Sequence, residues 1–545
     1  MNHREHPSGR RTAAVVWLGL LALIVCFVWL LQARNDTARF GRLHDDTIYL
    51  ATAQAIASQG RPVLPSLPGE PDQTKYPLLY PYLLSLVWTV SPAFPANLAL
   101  ASSISTVLAI AILVSAFLYL KRWEGIGPGA ALFAVAICCS LEPFLVVSSN
   151  LLSETLFIFL AIAAFSLGDS ESEKGALLAG GVAGLCLLTR SVGITVIAGI
   201  AAAYLWRGDR RHLARFCLGA TPFLAMAAII KSTLAAPVPA GALEGFRRTW
   251  LYYTDYAGFW RLSVPDMETL SGMIEINVVE MLSVPTNLTL GIRPGDIVST
   301  LIWVTLGIGI IAGLVRQARG DRLRGLHIAL ALHAPFVLLW NYEIADRLLL
   351  LFQPFFAIGL WVEGGHAVRG FARNLSARRP TADRVIAATA LVLLSVLVAY
   401  AVRANIELHA AAVRRHPDNF QDLYRDVYRW VEQNTEPEDR FLAIDDVYLY
   451  LHTGRQAMWP LALTTEPRFR PDASRLEDQM SRIEDVAKYI DADYLIWTEH
   501  DYAYAPPMQE RWRSLAESRQ LVMSRDDGRV KVFKLQRDPQ ESPGS

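Results

Sequence analysis

NLALASSISTVLAIAILVSAFLYLKR, residues 97–122, decides the architecture. From Asn97 to Leu120 it carries no charged side chain, and it ends on Lys121 and Arg122. A helix rises about 1.5 Å per residue, so this run covers the roughly 30 Å of a bilayer's hydrocarbon. The two cations that close it fall where headgroups and water begin.

The same template recurs outward from this stretch. Spans are expected near Thr12–Leu31, Asn97–Leu120, Pro128–Val147, Leu151–Leu167, Ala176–Thr189, Val192–Trp206, Leu213–Ile230, Ile297–Val315, Leu326–Trp340, Leu348–Val362 and Val385–Val402, about eleven in all. Only Arg190 and Ser191 separate the fifth from the sixth, and one long buried segment is the rival reading there. Arg10 and Arg11 precede the first run as they would in a signal peptide, but no small-residue cleavage site closes it, so it reads as a retained helix. Alternation from a cytoplasmic N-terminus gathers Lys121/Arg122, Lys174, Arg207–Arg215, Arg316–Arg324 and Arg369–Arg384 on one side, as the positive-inside rule requires.

Composition agrees. Of 545 residues 52% are hydrophobic and 19% charged, with a mean hydropathy of +0.27, too apolar for a soluble chain of this length. Lys plus Arg and Asp plus Glu are 51 each, which leaves no basic field to recruit nucleic acid. The five cysteines all lie in apolar runs, where a thiol behaves as a small hydrophobe.

The expected fold is therefore mainly α: a polytopic membrane domain, residues 1–403, with external loops at 32–95 and 231–296, and a small soluble α/β domain at 404–545. In the latter, helices are expected near Phe420–Gln433, Leu476–Ile490 and Gln509–Ser518, and strands at FLAID (441–445), YLIW (494–497), Leu521–Met523 and Val530–Leu535.

Chemistry concentrates in HDDTIYLATAQAIASQG (44–60) and KYPLLYP (75–81). Asp45 and Asp46 open a helical pattern in which Ile48, Ala51, Ala55 and Ile56 recur on one face, the pattern of a helix lying on a membrane. The ordinary reading of the two acids is helix capping. Their place in a loop returning to the membrane points instead to a site. Tyr252, Tyr253, Tyr256 and Trp260 read first as an interfacial aromatic belt, and second as the lining of a sugar or lipid groove. His44 reads as a local loop contact.

The chain resembles the GT-C superfamily of membrane glycosyltransferases, in particular the bacterial branch near protein O-mannosyltransferases and lipid A aminoarabinose transferases. The likeness rests on Asp45–Asp46 in the first external loop, on YPLLYP (76–81), and on SETLF (153–157), LLTRSVG (187–193) and ADRLLLLFQPF (345–355), in that order. Ile48 stands where the aminoarabinose branch carries an arginine, and LLTRSVG lacks the proline that commonly follows the family's arginine.

The resemblance implies transfer of a sugar from a polyprenyl phosphate to a hydroxyl of a glycan, lipid or protein acceptor, with inversion, on the outer face of a bacterial inner membrane. Asp45 is then the base, with Asp46 as its orienter. Both are candidate ligands of a divalent cation. Lys75, Arg347 and Arg190 are candidate contacts to the donor phosphate, with Glu154, Tyr76 and Tyr80 in support. Each also has an ordinary reading: snorkelling for Lys75, a cytoplasmic turn for Arg190, an ion pair for Arg347 and a helix-dipole role for Glu154. A transporter or flippase, or a non-catalytic envelope assembly protein, would share the span count.

Overall fold

The computed structural model describes residues 7–34, 40–41, 43–291, 296–319, 322–342, 346–376, 420–469 and 473–535. The chain divides into two compact units, one drawn from 1–35, 102–227 and 274–417, the other from 36–101, 228–273 and 418–545.

The first unit is helical. Ala14–Gln32 within helix Pro7–Arg34, and helices Leu98–Leu120, Arg210–Thr233 and Ile297–Gln317, are long and apolar enough to cross a membrane. Pro128–Ser140 and Glu142–Ser149, bent by 63°, make a fifth if they form one span. Among the described residues that is four or five, against the eleven expected. The difference lies in breaks that hydropathy does not register. Leu141 is extended, and Pro143 in the following turn has no N–H with which to continue the ladder. Elsewhere the apolar runs give shorter helices, Ser153–Gly168, Ser191–Trp206 and Gly325–Leu338. Leu348–Val362 opens as two 3₁₀ turns before helix Gln353–Ser376. The span expected at Val385–Val402 lies outside the described residues.

Arg190 is extended (φ −148°, ψ 136°) and divides helix Glu173–Thr189 from Ile194–Trp206. The two helices pack on each other, so the single-segment reading does not hold. Apolar side chains such as Leu218, Leu224 and Ile229 on Arg210–Thr233 and Leu301, Ile302 and Ile308 on Ile297–Gln317 are exposed, as a lipid-facing flank requires. With no hydrophobic drive between helices in lipid, close backbone packing has to hold them. Helices Ile297–Gln317 and Gln353–Ser376 meet at Gly313 and Gly359, where a Cβ on Gly313 would collide with the Gly359 carbonyl oxygen.

The second unit is α/β. Strands β1 (Phe441–Leu442), β2 (Ala457–Met458), β3 (Tyr494–Thr498), β4 (Gln520–Ser524) and β5 (Val530–Lys534) form one sheet in the order β2-β1-β3-β5-β4. β1 is parallel to β2 and β3, β5 is antiparallel to β3 and β4, and Leu442, Met458, Leu495 and Val532 are buried. β2 is not among the expected strands. The helix expected at Leu476–Ile490 is two, Ala473–Ser481 and Asp485–Ile490.

Helix Asp45–Gln59 belongs to this unit. It packs on Leu79–Val90, where Trp88 Nε1 donates to Leu50 O at 3.0 Å, and on helix Asp446–Thr453. Ile48, Ala51, Ala55 and Ile56 are buried in protein, not laid on a membrane surface. Tyr49, Leu50 and Ala53 are buried as well, so the helix is apolar around most of its circumference and needs cover on several sides. The loop after it is tied down where Ala457 N–H donates to Ser66 O at 2.9 Å, carrying the edge of the sheet onto residues 60–78.

The Gly313–Gly359 contact gives a testable outcome. Gly313→Val should lower the thermal stability of the purified protein by about 1–3 kcal/mol or more. Gly309→Val, on the same helix but with nothing within 4 Å of the added Cβ, should melt much closer to the parent. Melting curves of both in detergent decide it.

Candidate active site

In the second unit the start of helix Asp45–Gln59 collects the acidic pair, the lysine and a set of rings. Tyr76 Oη donates to Asp45 Oδ1 at 2.6 Å. The Tyr76 phenol is pushed well above its ordinary value of 10, first by desolvation and then by the Asp45 charge, so it is protonated and is the donor of that bond. The Lys75 ammonium stands 3.5 Å from the centroid of Tyr252, 5.0 Å from that of Tyr76 and 6.0 Å from that of Tyr256. Ring faces hold such a cation by their quadrupole, more strongly once water is excluded. Tyr49 places its ring edge-on to Tyr80, 5.3 Å away, and 5.0 Å from Tyr76. Asp45, Lys75, Tyr76 and Tyr80 thus form one neighbourhood.

Asp46 faces away from this group. It is fully buried, with Gly41 N–H donating to Oδ2 at 3.0 Å and Thr47 N–H to Oδ1 at 2.9 Å. Burial pushes its carboxyl up to about 7, against the pull of those two backbone bonds. Each Asp46 oxygen accepts one backbone N–H, and among the described residues no group of three or more His, Cys, Asp or Glu side chains gathers at this site.

Three remaining candidates meet in the first unit. Buried Glu154, in the first turn of helix Ser153–Gly168, pairs with Arg190 Nη1 at 2.7 Å and lies 3.8 Å from Arg347 Nε. Arg190 Nη1 also donates to Ser153 Oγ at 3.2 Å. Glu154 thus lies between two guanidiniums. Arg347 sits in the 3₁₀ turn Asp346–Leu348, and Arg190 in the break between helices described above.

Sequence reasoning missed Asp446 and Trp459. His44 Nε2 lies 3.2 Å from Asp446 Oδ1 and 3.1 Å from Tyr253 Oη, and its ring centroid is 5.5 Å from that of Trp459. His44 is therefore no local loop contact, and Tyr252 and Tyr253 pack on it and on Lys75 instead of forming a belt. The available signal was the acidic pair Asp445–Asp446 just past the end of β1, a parallel strand flanked on both sides, since the carboxyl ends of such strands are where sites gather.

No protein-family model and no curated protein matches the sequence. Solved glycosyltransferase structures share the fold of this chain. Among solved structures it matches the aminoarabinose transferase ArnT from Cupriavidus metallidurans bound to undecaprenyl phosphate, with a TM-score of 0.51 and 12% identity over 96% of this chain and 98% of that one. It also matches the oligosaccharyltransferase of Archaeoglobus fulgidus in the apo form, with a TM-score of 0.56 and 13% identity over 96% of this chain and 75% of that one. The same enzyme tethered to an acceptor peptide containing the NVT sequon matches at 14% identity, with a TM-score of 0.56. At these identities the likeness is one of fold.

The titration of Asp46 gives a measurable pH dependence. Its folded value of about 7 lies above the ordinary 3.8, so between those values the folded state holds a proton that the unfolded state has released. Stability from this group is present in acid and lost as pH rises toward 7. Asp46→Asn, which cannot ionise, should remove this component: between pH 4 and pH 7 the parent should lose more melting temperature than the variant. Parallel slopes would show that Asp46 is ionised throughout.

Proposed function

We propose that the protein is a membrane glycosyltransferase that moves a sugar from a polyprenyl-phosphate donor to an acceptor hydroxyl, with inversion at the anomeric carbon. The observation that carries this reading is the Tyr76–Asp45 bond of 2.6 Å beside the ring-held Lys75 cation. A solved relative in fold, bound to undecaprenyl phosphate, supports the donor class.

In this reading the acceptor oxygen attacks the anomeric carbon while its proton passes to the Asp45 carboxylate, and the bond from carbon to phosphate oxygen breaks with its electron pair on the phosphate. The leaving group is a phosphate monoester that departs as its dianion, stable in water near neutral pH, so no general acid is needed. Tyr76 orients the base. Asp46, through Gly41 and Thr47, fixes the backbone on either side of it. Lys75 is the proposed phosphate contact beside Asp45, and Arg190 and Arg347 of the first unit are kept as the phosphate contacts that the resemblance implies; a charge-assisted hydrogen bond of this kind contributes about 1.5–3 kcal/mol. No step is assigned to a metal.

We propose that the acidic loop and the C-terminal segment lie on the outer face of a bacterial inner membrane, as the loop charges suggest. A flippase has no use for an oriented base and would tolerate its loss.

Asp45→Asn preserves shape and hydrogen bonding while removing basicity. Single-turnover transfer should fall about a hundredfold or more, with binding of polyprenyl phosphate near the parent's. Lys75→Met should instead weaken that binding, and Lys75→Arg should do so less. A well-folded Asp45→Asn protein transferring at the parent rate would return the acidic pair to helix capping. For the placement, a periplasmic reporter fused after Leu535 should be active and a cytoplasmic one silent; the reverse would take one crossing out of the topology.

A further inference from the structure

His44, immediately before the proposed base, has φ 55° and ψ −43°, a backbone conformation that costs a non-glycine residue free energy and persists only where surroundings enforce it. The enforcing groups come from other parts of the second unit. Asp446 is fully buried at the start of helix Asp446–Thr453 and takes three bonds: Val447 N–H to Oδ1 at 2.7 Å, His44 Nε2 to Oδ1 at 3.2 Å, and Tyr253 Oη to Oδ2 at 2.5 Å. A carboxylate accepts only, so His44 Nε2 carries the proton of that bond. His44 Nδ1 lies 3.5 Å from Tyr252 Oη, and the Tyr252 ring underlies Lys75. A chain of contacts runs from Asp446 through His44 and Tyr252 to Lys75, with Asp45 joined to His44 by a peptide bond.

We propose that Asp446 and Tyr253 are positioning residues of the transferase site: they clamp His44 in its unfavourable backbone state and so aim Asp45. This deepens the transferase reading and rests on it. It gives residues 418–545 a part in the active site, since Asp446 is replaceable neither by water, which its burial excludes, nor by anything the first loop itself supplies. The bound acid holds the loop through paired oxygens, which a buried charge requires in any case.

The test uses the full-length protein with the substitutions Asp446→Asn, Tyr253→Phe and His44→Ala, each read by single-turnover transfer and by amide exchange. Transfer should fall about tenfold for Tyr253→Phe and up to about a hundredfold for Asp446→Asn, the range expected when a reacting group is displaced by about 1 Å. Amides of residues 43–50 should exchange faster in both, while β3 and β5 keep the parent's protection. His44→Ala, which cuts the same link at its other end, should lose both transfer and protection at 43–50. The proposal is overturned by parent-like transfer in Asp446→Asn, or by slowed transfer with unchanged exchange at 43–50. If the parent itself transfers no sugar from any lipid phosphate, the transferase reading falls, and the exchange comparison alone still decides whether Asp446 holds the loop.

Discussion

A carboxylate removed from water must be given its hydrogen bonds by the protein, and Asp446 meets that demand with groups from three separate stretches of chain. His44 comes from the first long loop, Tyr253 from helix Glu244–Thr254, and Val447 from its own helix. The charge cannot be satisfied until all three are assembled. The second unit is thus a single cooperative object even though its sequence is interrupted twice by membrane helices. The strained backbone at His44, the bond from Tyr76 to Asp45 and the cation on Tyr252 all sit within reach of that one requirement.

The helical unit is governed by a different constraint. Its helices cannot be driven together by hydrophobicity alone in lipid, so small residues let backbones touch, as at Gly313 and Gly359. Where they part, polar groups remain to be neutralised, and Glu154 with Arg190 and Arg347 is such a place. The break at Arg190 matters because a continuous helix would have carried that guanidinium past the carboxylate it pairs with.

Legibility in the sequence followed how local each determinant is. The apolar runs at Ala14–Gln32, 98–120, 210–233 and 297–317 could be read because burial in lipid is decided by composition over one helix length. The breaks at Leu141 and Arg190 depend on packing partners distant in sequence, and hydropathy counted through them. YLIW was legible as a strand because it is a buried apolar run, whereas Ala457–Met458 is two residues long and owes its pairing to β1. The Asp45–Asp46 pair and KYPLLYP stood out from order and position, but their division of labour did not. That Asp46 turns inward to amides while Asp45 meets Tyr76 is set by the loop geometry at Gly41 and His44. Asp446 could not be matched to His44 because 402 residues separate them, and nothing local in either marks the partnership.

That separation bears on how the molecule is made. A ribosome adding about 5–20 residues per second needs on the order of 20–80 s to pass from His44 to Asp446. During that interval helix Asp45–Gln59 has been synthesised without helix Asp446–Thr453 to cover it, and its apolar circumference has to be sheltered by Leu79–Val90 or by other surfaces within reach. Any nascent chain stopped before β1 therefore carries His44 without Asp446, and helix Asp45–Gln59 without the helix Asp446–Thr453 that packs on it.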